Sequence, residues 1–205
     1  MIGSFVRILA RAFFLLVIMS LSALAQSSQS LRVAGALARV EGATLVVKPR
    51  DGSEARVSLT EKALVFGVVK ASPADLKPGV FAGVGAMPQA DGSQRAIQVT
   101  IFAEEQRGQN EGYRPWSRLP NSTMTNATVD TIITNVNGQT MTVKYKDGEQ
   151  KIIVPPDATI LAYVASDRSE IKPGANISFG NVAQRPDGTF EATRVYIGRG
   201  GVVPQ

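Results

Sequence analysis

The stretch VAGALARVEGATLVVK at residues 33–48 decides the fold of this chain, because its pattern returns as VDTIITNVNGQTMTVK at residues 129–144. Further along, DLKPG at residues 75–79 has its counterpart in EIKPG at residues 170–174. Turn, loop and strand signals that recur in the same order indicate a duplicated unit rather than chance. The sequence comparison places Val129 opposite Val33 and predicts two copies of one fold.

Each copy consists of short apolar stretches divided by glycine-containing turns such as Glu41-Gly42 and Asp51-Gly52. Stretches of this kind are typical of antiparallel hairpins. Between the fourth and fifth stretch, residues 72–76 (SPADL) predict one helical turn with Ser72 as its N-cap. The predicted fold is therefore all-β, with two tandem small antiparallel barrels at residues 31–102 and 126–197.

Residues 1–25 have the pattern of a cleavable signal peptide, with a basic part, an apolar run at residues 12–21 and small residues at its end. The run is shorter than the roughly 20 apolar residues that a spanning helix needs. We expect cleavage between Ala25 and Gln26. The expected location is the bacterial periplasm or the exterior, and the mature part is expected to have no transmembrane span.

Three further segments lie outside the two copies. Residues 26–30 are polar and predicted to be disordered, and residues 198–205, with three glycines and Pro204, are predicted to be a flexible tail. Residues 103–125 instead form an aromatic connector that contains Trp116, the only tryptophan of the chain. Because an exposed tryptophan forgoes the burial of about 200 Å² of ring surface, we expect Trp116 to dock on a barrel or between the barrels.

Histidine and cysteine are absent from the sequence. Their absence removes the usual general base near neutral pH, the thiolate nucleophile and the commonest transition-metal ligands. The Asp-Gly pairs lie at predicted turns, where they serve the turn itself. The neighbours Glu104 and Glu105 would point to opposite faces of a strand. The sequence therefore predicts no enzyme, with no catalytic residue, no metal site and no cofactor.

Binding fits the composition better than catalysis. Proteins that bind single-stranded nucleic acid need aromatic platforms along a basic groove, whereas this chain carries a formal charge of only +5 and few aromatic residues. Together with the export signal, the low charge and the scarcity of aromatic residues argue against a nucleic-acid partner.

Basic residues flank equivalent turns of the two copies, and two interpretations stay open: a patch for an anionic envelope polymer or a solvated outer face. These residues are Lys48, Arg50, Lys144 and Lys146. The candidate ligand-binding residues are Tyr113, Arg114 and Trp116 of the connector.

Residues 35–47 (GALARVEGATLVV), 74–79 (ADLKPG) and 91–96 (DGSQRA) resemble a bacterial envelope domain of unknown function. That resemblance implies tandem OB-like β-barrel repeats and supplies no catalytic residues. The connector is similar to that of two-copy proteins sometimes labelled metal ABC transporter permeases, in which a histidine often stands where Tyr113 stands here. One cleavable apolar segment cannot form a permease, which needs several spanning helices.

These observations predict a non-enzymatic periplasmic binding or scaffold protein, whose partner is an unknown envelope protein or an anionic polymer. The alternative is an accessory protein of an envelope transport system, including a metal-related one. A third hypothesis is a hydrolase of envelope polymers that uses Glu104, Glu105 and Glu111. The sequence gives no pair among these carboxylates a defensible geometry for glycoside hydrolysis.

Overall fold

The computed structural model describes residues 33–136 and 138–204, and within them it is all-β. The predicted signal peptide at residues 1–25, its cleavage point between Ala25 and Gln26, and the lead-in at residues 26–30 lie outside the described residues. In the described part of the chain, no helix has the length and apolar character needed to cross a membrane.

The described residues form twelve strands and three single 3-10 turns. The strands are β1 (Ala34–Glu41), β2 (Thr44–Lys48), β3 (Ala55–Lys70), β4 (Phe81–Pro88), β5 (Gln94–Ile101), β6 (Gly112–Pro115), β7 (Thr123–Asn135), β8 (Gly138–Tyr145), β9 (Gly148–Val154), β10 (Thr159–Ala165), β11 (Asn176–Gln184) and β12 (Phe190–Gly198). The 3-10 turns are Pro73–Asp75, Glu104–Gln106 and Arg168–Glu170.

The pairing of these strands closes two five-stranded rings. The first ring has the order β1, β2, β3, β12, β11 and is closed by antiparallel pairing of β11 with β1. The second ring has the order β7, β8, β9, β5, β4 and is closed by antiparallel pairing of β4 with β7. In both rings the third strand lies parallel to the fourth. Strand β10 joins the rings, antiparallel to β3 and parallel to β5.

Each ring combines strands from both sequence copies. Strands β4 and β5 belong to residues 31–102 but pair with β7 and β9 of the second copy. Strands β11 and β12 belong to residues 126–197 but pair with β1 and β3 of the first copy. The prediction that each copy closes its own barrel thus differs from the observed pairing. The copies exchange their last two strands, and the later part of β3 pairs with both β12 and β10.

Each ring encloses its own apolar core. Equivalent buried positions in the two cores are Leu45 and Met141, Val57 and Ile152, Leu59 and Val154, and Val195 and Val99. Aliphatic residues at alternate strand positions fill the ring interiors because successive side chains of a strand point to opposite faces. The repeated apolar pattern therefore encodes two cores of the same design.

The first hairpins of the two copies differ in length. Leu37 pairs with Val47 and Val129 pairs with Val143, and in each hairpin a register shift follows that pair. Val129 therefore corresponds to Leu37, and the predicted correspondence with Val33 is wrong. The hairpin formed by β7 and β8 is therefore longer than the hairpin formed by β1 and β2. The span from Val129 to Val143 contains four residues more than the span from Leu37 to Val47.

Strand β3 unites two stretches that the sequence predicts as separate strands, residues 54–59 and 64–69. In the second copy, Pro155-Pro156 separates the corresponding strands β9 and β10. Proline has no N–H to donate to a strand ladder, so the break falls there. In β3, Nη2 of Arg168 donates to the carbonyl oxygens of Thr60 and Glu61 at 2.7 and 3.0 Å. The guanidinium of Arg168 thus supplies hydrogen-bond donors to backbone carbonyl groups at the point where β3 changes register against β12.

The end of the chain is packed, in contrast to the flexible tail predicted for residues 198–205. Val202 is buried and forms a small third cluster with Val68 and Leu161. Its backbone N–H donates to the carbonyl oxygen of Arg199 at 3.1 Å. Three glycines gave this segment the composition of a loose end, but Gly198 ends β12, and Gly200 and Gly201 form a tight turn that returns Val202 to the seam between β3 and β10.

Candidate functional site: the connector groove

The connector between the fifth and seventh strands lies along the second ring. Its strand β6 pairs antiparallel with β7, so that Tyr113 lies opposite Thr125 and Pro115 opposite Thr123. The loop that follows returns on itself, and the N–H of Trp116 donates to the carbonyl oxygen of Ser122 at 2.8 Å. The connector is thus an ordered part of the sheet.

Trp116 docks on the second ring, which agrees with the expectation from the sequence. The residue is only 8% exposed. Its ring packs directly on Gly85 of β4, where an added Cβ would lie 2.5 Å from Cζ3 of the indole. The guanidinium carbon of Arg118 lies 5.5 Å from the ring centroid, within the range of a cation–π contact. Glycine at position 85 is therefore required for the indole to reach the strand.

An open groove of about 630 Å³ lies between β6 and the loop after it. Its walls are mostly apolar, and none of its lining side chains is charged. The lining residues include Tyr113, Pro115, Trp116, Leu119, Pro120 and Asn121. An uncharged concave surface with aromatic and proline walls is suited to an apolar or proline-containing segment.

The three predicted binding residues have different roles. Tyr113 and Trp116 both line the groove. Arg114 does not line it: its Nη1 donates to the carbonyl oxygen of Asn110 at 2.7 Å. Residues alternate between the two faces of a strand, so Arg114 lies on the opposite face of β6 from Tyr113.

Two side-chain amides attach the connector to both rings. Gln106 is fully buried, and its Nε2 donates to the phenol oxygen of Tyr196 on β12 at 2.9 Å. Nδ2 of Asn126 on β7 donates to the carbonyl oxygen of Gln109 at 3.0 Å. Sequence reasoning missed Gln106 because it stands in the polar run Glu104-Glu105-Gln106-Arg107, which has the composition of a solvated segment.

Tyr196 belongs to an aromatic cluster at the seam of the two rings. Its ring centroid lies 4.6 Å from that of Tyr163 and 5.6 Å from that of Phe66. Phe102 continues the cluster, 5.6 Å from Tyr163. Burial among these rings raises the pKa of Tyr196 above its ordinary value. Such contacts add to the apolar burial that holds the rings together.

The recurrent aspartates serve their turns. In Asp51, Asp91 and Asp187, Oδ1 accepts hydrogen bonds from both the N–H and the hydroxyl of the residue two positions later. These hydrogen bonds lower the pKa of each carboxyl group. At Asp147 the residue two positions later is Glu149, which has no hydroxyl to donate. Three of the four Asp-Gly pairs therefore have a well-defined structural role.

Glu104 and Glu111 of the connector make structural contacts. Glu104 pairs with the guanidinium of Arg107, which lowers the pKa of Glu104. Oε1 of Glu111 accepts a hydrogen bond from the N–H of Lys146 at 3.1 Å. Within the described residues, no group of three or more acidic, histidine or cysteine side chains is placed to hold a metal ion.

The basic residues beside the equivalent turns are exposed. Nζ of Lys144 lies 3.1 Å from Oδ1 of Asp130, and an exposed pair of this kind contributes only about 0–1 kcal/mol. These residues lie outside the lining of the connector groove. This arrangement favours the solvated outer face over a polymer-binding patch.

No protein-family model matches the chain, and no curated protein or solved structure matches it significantly. The resemblance to a bacterial envelope domain therefore stays a prediction. Function has to be inferred from the geometry of the site.

Proposed function

We propose that this chain is a non-enzymatic binding or scaffold protein of the bacterial envelope, and that its connector groove binds an extended, uncharged segment of a partner protein. In this proposal residues 1–25 direct export and are removed between Ala25 and Gln26. The observation that carries the proposal is the open, uncharged groove that Tyr113, Pro115, Trp116, Leu119 and Pro120 line.

The order of strands supports an OB-like description of both rings. In each ring the first three strands form an antiparallel meander, the third lies parallel to the fourth, and the fifth pairs with the first. Five strands in this arrangement are typical of the OB fold, which serves as a binding scaffold in many proteins. Fold alone does not specify a ligand, so the ligand class depends on the side chains that line the groove.

The lining of the groove favours a protein segment over an anionic polymer. An anionic polymer requires cations that face the site, whereas no lining side chain is charged and the guanidinium of the neighbouring Arg118 lies over the ring of Trp116. Aromatic and proline walls accept proline-rich segments in an extended conformation, whose low conformational entropy makes binding less costly. The hydrogen bonds of Gln106 and Asn126 fix the connector before the ligand arrives, which further limits the entropy lost on binding.

The test uses the single tryptophan as the reporter. The chain from Gln26 to Gln205 is titrated with an uncharged proline-rich peptide and, separately, with polyglutamate, while the emission of Trp116 is recorded. The proposal predicts a saturable change with the proline-rich peptide and none with polyglutamate.

A matched pair of variants locates the site. Leu119 is 43% exposed in the groove, and Leu64 is 44% exposed on β3 outside the lining residues. Leu119→Asp should abolish the response to the peptide, whereas Leu64→Asp should preserve it. A response that survives Leu119→Asp, or no response to the peptide in the original chain, would overturn the proposed ligand class.

A further inference from the structure

The longer hairpin of the second copy extends into a segment that we call the arm, the described residues 131–136 and 138–142 at the ends of β7 and β8. From Thr131 to Val143 the sequence contains no charged residue. Two of its large apolar side chains are exposed, Ile133 at 67% and Val136 at 96%. Exposed β-branched apolar residues on an uncharged hairpin are unusual, because proteins normally place polar or charged side chains on such projections.

One edge of the arm has no partner strand within the described residues. Strand β7 pairs with β6 as far as Asn126 and with β4 as far as Thr128. From Thr131 to Asn135 its one paired strand is β8. An open edge of this kind is able to pair with a further strand.

The first copy supplies an internal comparison. By register, Thr131 corresponds to Arg39 and Ile133 corresponds to Glu41, since their cross-strand partners are equivalent. Arg39 and Glu41 form an ion pair at 2.7 Å, and Arg39 also reaches Glu54 at 3.3 Å. Charges on an edge strand discourage pairing with another chain. The corresponding edge of the arm lacks this protection.

We propose that two copies of this chain associate through their arms, with the β7 edges paired antiparallel about Ile133. A symmetric pair of this kind places Ile133 opposite Ile133 of the second copy and Thr131 opposite Asn135. At this central position the first copy has Glu41, which would meet a like charge in a second copy, whereas Ile133 meets an uncharged apolar side chain. Because five residues per strand bury less than the roughly 1,000 Å² of a stable interface, the dimer forms reversibly and depends on concentration.

Analytical ultracentrifugation of the chain from Gln26 to Gln205 tests this association, since that span contains every described strand. The weight-average mass should rise from monomer to dimer as the concentration increases. Ile133→Glu, which places a glutamate where the first copy has Glu41, should remain monomeric. Val40→Glu is the matched control, because Val40 is exposed on β1, and this variant should dimerise like the original chain.

Cysteine trapping tests the register independently, because the chain contains no cysteine. Under mild oxidation, Ile133→Cys should form a disulfide-linked dimer, while Val40→Cys should remain largely monomeric. A chain that sediments as a monomer at every concentration would overturn the proposal. So would a dimer that persists in Ile133→Glu. The groove is not part of this interface, so the arm and the proposed ligand are tested separately.

Discussion

The amide Nε2 of Gln106 donates a hydrogen bond to the phenol oxygen of Tyr196 at 2.9 Å, and this bond joins the connector to the last strand of the chain. Gln106 is fully buried, and its Oε1 has no hydrogen-bond partner within the described residues. A buried amide is costly to leave without partners. The bond to Tyr196 is therefore central to the position of the connector.

Removal of the Tyr196 hydroxyl should weaken the fold. Tyr196→Phe keeps the ring contacts with Phe66 and Tyr163 but leaves Nε2 of Gln106 unsatisfied, so we expect a loss of about 1–3 kcal/mol in the free energy of unfolding. Urea denaturation measures this loss. The control is Tyr113→Phe, which removes an exposed hydroxyl and should leave the urea midpoint unchanged. Equal midpoints for the two variants would show that the Gln106 contact contributes nothing.

Gly85→Ala should displace Trp116. An added Cβ would lie 2.5 Å from Cζ3 of the indole, and such overpacking costs about 1–3 kcal/mol. The emission of the single tryptophan should shift to longer wavelength as the ring becomes more exposed. Gly148→Ala is the control, because its Cβ would approach no closer than 3.3 Å, at the hydroxyl of Tyr145. An unchanged emission spectrum in Gly85→Ala would contradict the docking of the ring on β4.

Acid should destabilise the protein partly through its aspartate turns. Hydrogen bonds from Ser93 lower the pKa of Asp91 in the folded state. A lowered folded pKa gives a stabilising contribution that is present above the unfolded pKa of about 3.9. That contribution is lost as the pH falls through the folded pKa. The urea midpoint should therefore decrease as the pH falls below about 4.

Two variants at this turn separate titration from hydrogen bonding. Ser93→Ala removes the hydroxyl donor, so the pKa of Asp91 measured by NMR should rise toward its ordinary value. Asp91→Asn keeps an acceptor oxygen but does not titrate, so its urea midpoint should decrease less steeply with acid. An Asp91 pKa that is the same in Ser93→Ala and in the original chain would refute the turn interpretation.

The sequence predicts local features well in this protein. Hairpins such as β1–β2 depend on alternation and on turn residues close in sequence, so their positions follow from the pattern. The docking of Trp116 follows from the size and apolar character of its ring. Gln106 could not be predicted, because its burial depends on Tyr196, which lies far along the chain.

The exchange of strands was also beyond the sequence pattern. Glu191 is the register partner of Ser58, and Arg95 is the partner of Ile153. Because the two copies share one pattern, Ser58 and Ile153 occupy equivalent positions, and either could accept either partner. Apolar alternation specifies which face of a strand is buried but not which copy supplies the neighbouring strand.

The strand exchange is tested most directly with paired cysteines, for which the chain offers a cysteine-free background. Neighbouring strands lie about 4.8 Å apart, within the range that a disulfide spans. The structure predicts that Ser58→Cys with Glu191→Cys forms an intramolecular disulfide on oxidation, detected by mass spectrometry of the digested protein. Ser58→Cys with Arg95→Cys should form none. A disulfide in the second variant and none in the first would mean that each copy closes its own barrel, which contradicts the exchange.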